Sequence, residues 1–164
     1  MKILIVNGPN LNLLGTREPE IYGSISMDDY LIELRTAFPQ HEINDFQSNL
    51  EGEIINRLQK NDFDALVINP GAFTHYSYAI ADCLQNISKP KIEVHISNIY
   101  KREEFRQKSV TAANTDGVLS GFGLKGYELA IMSFRSWFLR ILVKFICRNS
   151  SCIWKIINSS YEKH

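Results

Sequence analysis

The residues best suited to chemistry fall in three sets, each placed just after a short apolar run. The first holds Asn7, Asn10 and Asn12, followed by Arg17 and Tyr22. The second holds Asn69, Thr74, His75 and Ser77. The third holds Glu93, His95, Ser97 and Asn98, followed by Arg102 and Arg106. Two of the chain's four histidines lie in these sets. On a strand, residues i and i+2 point to one face, so Glu93 and His95 are placed to meet. A carboxylate beside an imidazole fixes its tautomer and favours its protonated form, which suits a general acid. The plainer alternative is an ordinary ion pair at a strand end. Tyr22 has a reference pKa of about 10 and is a poor base at neutral pH unless guanidinium groups stabilise its phenolate. Arg17, Arg102 and Arg106 are candidates for that service. The alternative for Tyr22 is a turn aromatic before Gly23.

Competing motifs fit less well. His75, His95 and Glu93 resemble a two-histidine, one-carboxylate metal set, but HExxH spacing is missing and Glu93 is better explained as the orienter of His95. No metal or cofactor is expected. Gly121-Phe-Gly-Leu-Lys-Gly126 matches GxGxxG, yet it follows the last expected strand, and no later strand brings an acidic residue to hold a ribose. These glycines read as close helix–sheet packing. There is no Walker A motif and no nucleophile elbow. Cys83 falls mid-helix, where burial is expected.

The elements that must position these residues alternate. Strands are expected over 3–7, 41–46, 65–68, 91–96 and 116–120. A helix starts at Ser26, with Ser26 as N-cap and Asp29 at N3. It carries Met27, Tyr30, Leu31, Leu34 and Phe38 at helical spacing and stops at Pro39. Asn49 is expected to cap a second helix bearing Ile54, Ile55 and Leu58. A third covers 75–87 before Pro90, and a last one starts near Leu124. Repeated β-α units with short links indicate a parallel sheet covered by helices. Five strands suit a flavodoxin-like order, 2-1-3-4-5, in which ligands sit outside the carboxyl ends of the strands. The one long connection, Gly8 to Ser26, is of a length that is usually functional, often a lid.

Composition narrows the class. The chain has 164 residues, 45% apolar and 22% charged, as expected for one globular domain. No run of about 18 apolar residues marks a membrane span, and the N-terminal apolar run reads as a strand, not a signal peptide. Three cysteines without zinc spacing fit a reducing cytosol. The zero net charge is uneven: residues 1–132 carry 12 basic and 17 acidic side chains, and residues 133–164 carry 6 basic and 1 acidic. The acidic body argues against nucleic-acid binding.

Three segments together carry a family resemblance. Asn7-Gly-Pro-Asn-Leu-Asn-Leu-Leu-Gly-Thr-Arg17-Glu-Pro-Glu-Ile-Tyr22-Gly resembles the N-terminal signature of type II 3-dehydroquinate dehydratases. Asn69-Pro-Gly-Ala-Phe-Thr-His75-Tyr-Ser and Glu93-Val-His95-Ile-Ser-Asn-Ile-Tyr-Lys-Arg102-Glu-Glu-Phe-Arg106 match the family's other two motifs. The likeness covers about residues 1–132, in order and at family-like spacing. It implies a flavodoxin-like fold and cofactor-free dehydration of 3-dehydroquinate to 3-dehydroshikimate in the shikimate pathway. By resemblance, Tyr22 is the base, held as phenolate by Arg17 with help from Arg102. Asn10 stabilises the enolate through an ordered water. His95, oriented by Glu93, protonates the departing hydroxyl. Asn69 and the backbone N–H groups of Ile96 and Ser97 hold the substrate carboxylate, and His75 and Arg106 bind ring hydroxyls. Asp82 reaches into a neighbouring subunit's site, since the family builds trimers that assemble into a dodecamer.

Beyond Met132 the likeness fails. Phe134, Trp137, Phe138, Ile141, Leu142, Phe145 and Ile146 keep helical spacing, and Arg140, Lys144 and Arg148 recur every four residues. Three readings of 133–164 stand: a final helix packed on its own domain with a loose end, a basic amphipathic helix for a membrane surface or acidic partner, and a diverged terminus without a selected role. Two alternatives stand for the whole chain: a non-catalytic binding module on the same scaffold, and a competent domain whose tail blocks assembly. The first has no need of an acid and a base together.

Overall fold

The computed structural model describes residues 1–15 and 25–134. The chain divides into two compact units, Met1–Ile131 and Met132–His164. Of the second, only 132–134 are described, so the amphipathic pattern expected beyond them lies outside the described residues, as does the segment 16–24.

Five parallel strands form one sheet in the order β2-β1-β3-β4-β5. They are β1 (Lys2–Asn7), β2 (Glu42–Gln47), β3 (Ala65–Asn69), β4 (Lys91–His95) and β5 (Gly117–Ser120), and this is the expected topology. Between them lie α1 (Met27–Ala37), α2 (Glu51–Gln59), α3 (Tyr78–Gln85) and the short α4 (Glu104–Gln107). A last helix, α5, runs over 125–134. The continuous apolar runs of β1 and β3 follow from their central place: Ile3–Val6 and Ala65–Ile68 are all fully buried. Leu4, Val6, Leu66 and Ile68 pack with Ile54 and Leu58 of α2 and Ile80 and Leu84 of α3.

Local chemistry sets the helix ends, and two of them differ from expectation. At α1 the Ser26 side chain accepts from the Asp29 N–H and donates back to the Asp29 carboxylate, as the motif implies. The helix expected over 75–87 is shorter. Ser77 caps α3 by accepting from the Ile80 N–H, and residues 71–75 before it form a separate 3-10 turn. Asn49 does not cap α2, whose N-cap is Leu50 without a side-chain bond. The Ser48 hydroxyl accepts from the Leu50 N–H and donates to Glu53, leaving Asn49 for the loop opposite. The glycine motif is structural as expected at Gly126, where an added Cβ would lie 3.0 Å from Val94. Gly121 and Gly123 instead serve the left-handed turn before α5.

Candidate active site

Because every strand runs the same way, Asn7, Asn69, His95 and Ser120 end on one edge of the sheet. Asn7 is in register with Asn69, and His95 with Ser120. The strand order reverses between β1 and β3, and that crevice is where open α/β sheets place ligands. Two loops leave it back to back. The Gly8 N–H donates to the Asn69 carbonyl at 2.8 Å, and a Cβ on Gly8 would lie 2.2 Å from the Pro70 carbonyl oxygen. Gly8→Ala must therefore push apart two backbones. The expected cost is about 1–3 kcal/mol of stability, with a lowered turnover per active molecule, checked by urea midpoint and initial rates.

A cavity of about 190 Å³ opens at this edge. Asn10, Asn69, His75, His95, Ile96, Ser97, Arg102 and Arg106 are among the residues that line it. Thus residues far apart in sequence, from 9–14, 69–75 and 95–106, converge at the sheet edge where the three polar sets are expected. Arg17 and Tyr22 lie outside the described residues. Asp82 is exposed on α3 and does not line the cavity.

Glu93 is fully buried, and its Oε1 lies 2.7 Å from His95 Nε2. A carboxylate only accepts here, so Nε2 carries the hydrogen and Nδ1 is left as the ring atom for exchange with a ligand. Glu93 accepts from two more side chains, Ser109 at 2.9 Å on Oε1 and Thr111 at 2.6 Å on Oε2. His75 Nδ1 lies 2.8 Å from the Lys108 carbonyl, so it donates there and leaves Nε2 free of that bond. Among the described residues, the N–H groups of Ile96 and Ser97, just past the end of β4, donate to no protein acceptor. Asn10 stands in a left-handed conformation with φ 68°, and its N–H donates to Asn49 Oδ1 at 3.0 Å. Gln47 donates to the same Asn49 oxygen at 3.1 Å.

The cationic rim is organised by Glu103, which the sequence reading did not single out. Its Oε2 lies 3.3 Å from Arg106 Nε and 3.6 Å from Arg102 Nε. Its own backbone N–H, then Arg106 and Arg102, hold the Glu103 carboxyl below the usual carboxylate range.

Asn69 is set by a second unforeseen residue, Tyr127 on α5. Asn69 Nδ2 donates to the Tyr127 hydroxyl at 3.0 Å, which donates to Asn7 Oδ1 at 2.7 Å. Burial drives the Tyr127 phenol well above its ordinary value, with the Asn69 bond opposing slightly. Tyr127 is therefore a fixed donor and no base. The folded state keeps this proton to higher pH than the unfolded chain, which releases it near pH 10. Its stabilising share is whole below about pH 10 and is lost as pH rises beyond it. Tyr127→Phe should flatten part of the fall in urea midpoint as pH rises from about 9.5 to about 11.5. An unchanged slope would show that other groups set it.

Comparison with known proteins bears on what this arrangement is for. The family model described as dehydroquinase class II matches residues 1–135. The chain belongs to the class II dehydroquinase family. It is 59% identical over 133 residues to a 3-dehydroquinate dehydratase of Thermotoga petrophila, covering 80% of this chain and 92% of that protein. The crystal structure of a type II dehydroquinase from Butyrivibrio crossotus superposes with a TM-score of 0.79 at 49% identity, covering 82% of this chain and 97% of that one. The type II dehydroquinase from Propionibacterium acnes gives a TM-score of 0.78 at 44% identity, covering 82% and 96%. The fold is thus the family's own, and this family acts in the shikimate pathway.

Proposed function

We propose that this chain dehydrates 3-dehydroquinate to 3-dehydroshikimate by anti elimination through an enolate. The observation that carries the reading is the buried Glu93–His95 pair at the cavity wall, next to the unbonded N–H groups of Ile96 and Ser97. Tyr22, as phenolate beside Arg17 and Arg102, takes the proton next to the substrate ketone. Asn10 stabilises the enolate oxygen through a water. The electron pair then returns, the carbon–oxygen bond at C1 breaks, and His95 delivers a proton so that water leaves. Glu93 faces the imidazolium and stabilises its charge.

Asn69, Ile96 and Ser97 hold the substrate carboxylate, while His75 and Arg106 bind ring hydroxyls. These groups create local attraction for an anion on an otherwise acidic body. No step calls for a cofactor. We read the assembly as trimers joined into a dodecamer, with the exposed Asp82 serving a neighbour's site, and the setting as cytoplasmic. Among the described residues, no helix is long and apolar enough to cross a membrane. Residues 133–164 are read as an extension beyond a catalytic domain of 1–132, which the extent of the family match supports. The product is a conjugated enone, so ultraviolet absorbance on mixing with 3-dehydroquinate tests the reading. Saturable growth of the enone band is expected. Binding without it would favour a non-catalytic module.

A further inference from the structure

The segment after α4 reaches His75 directly and His95 through Glu93. Ser109 and Thr111, two residues apart in an irregular stretch, reach the same carboxylate, one on each oxygen of Glu93. Ser109 is itself pinned, accepting from the Ala112 N–H at 2.9 Å and lying 3.2 Å from the Thr111 hydroxyl. Thr111 is fully buried. Between them the Val110 N–H donates to the Thr74 carbonyl at 2.8 Å, and just before them the Lys108 carbonyl receives His75 Nδ1. Four consecutive residues therefore brace the turn bearing His75, the ring of His75, and the carboxylate that orients His95.

We propose that Ser109 and Thr111 are positioning residues for the dehydration, acting through Glu93 to aim His95 at the departing hydroxyl. The physical case is one of geometry. A carboxylate on a strand has a free χ3, and a single bond to His95 would leave its plane undetermined. Hydroxyl donors on both oxygens fix that plane, and a fully buried carboxylate needs such donors to offset its lost hydration. With the plane fixed, Oε1 stands where the His95 N–H must point, and the ring cannot swing. Strand β4 does not supply these donors; the strap 108–111 does.

This inference rests on the reading of His95 as the acid, so the experiment separates the two. Thr111→Val, Thr111→Ser, Ser109→Ala, Glu93→Gln, His95→Ala and the double variant Thr111→Val with Glu93→Gln are compared in the full chain. Misaimed acid groups cost about 10- to 100-fold. Thr111→Val should lose that much in kcat with KM nearly unchanged, and Thr111→Ser should recover most of it. A residue acting through Glu93 should cost little more once Glu93→Gln is present. Ordinary kcat in Thr111→Val, or equal losses with and without Glu93→Gln, overturns the proposal. Should Thr111→Val fail to fold, Ser109→Ala, alone and combined with Glu93→Gln, is read by the same two criteria. If His95→Ala retains turnover, the reading of the acid fails instead.

Discussion

Tyr22→Phe is expected to lower kcat by about 10²–10⁴-fold, the range general base catalysis supplies, while the chain still binds substrate. A phenol with a pKa of about 10 is ionised in roughly one molecule in a thousand at neutral pH. Making it the resting base requires a depression of about three units, or about 4 kcal/mol of preferential stabilisation of the phenolate. Arg17 is the source we assign, with Arg102 at the cavity rim as support. The two buried tyrosines among the described residues do not compete. Tyr127 is a buried donor to Asn7, and Tyr30 donates to the Leu124 carbonyl at 2.6 Å, its phenol pushed up by burial and by Glu128. Rates under saturating substrate, with binding followed by calorimetry, check the prediction. Turnover like the parent's would remove Tyr22 from the role of base.

Strand order and the placement of the three polar sets were readable because both follow from simple periodicities. Apolar runs bounded by helical patterns force a parallel sheet, and a parallel sheet sends every strand's C-terminal residue to one edge. Glu93 and His95 were paired correctly because alternation on a strand admits no other geometry. What stayed hidden depends on tertiary approach. Tyr127 is 58 residues from Asn69 and joins it only because α5 packs over the strand ends. Ser109 and Thr111 lie in a stretch without regular structure, where no period says which way a side chain points. Their i, i+2 hydroxyls mirror the Glu93-x-His95 spacing, and that was the available signal. The sequence does not separate Ser48 from Asn49 at the start of α2, because both residue types suit a helix start. The choice between them is decided by the Asn10 N–H from the facing loop and the Gln47 amide at the end of β2, which both claim the Asn49 Oδ1.

The acid and the base should be separable by experiment, because they act on different bonds. Breaking the carbon–hydrogen bond beside the ketone needs Tyr22 and the enolate donors but no proton from His95. Breaking the carbon–oxygen bond at C1 without His95 requires hydroxide to leave. His95→Ala should therefore lower dehydration by about 10²–10⁴-fold, yet still form the enolate reversibly. In deuterium oxide, this variant should wash deuterium into recovered 3-dehydroquinate faster than it makes enone. Tyr22→Phe should do neither. Glu93→Gln preserves an acceptor for the His95 N–H but removes the charge opposite the ring, so it should fall between His95→Ala and the parent. Dehydration at the parental rate in His95→Ala, with an unaltered pH–rate profile, would exclude it as the acid. Loss of both exchange and dehydration would instead place His95 in enolate formation, leaving the leaving hydroxyl to be protonated from another wall of the cavity.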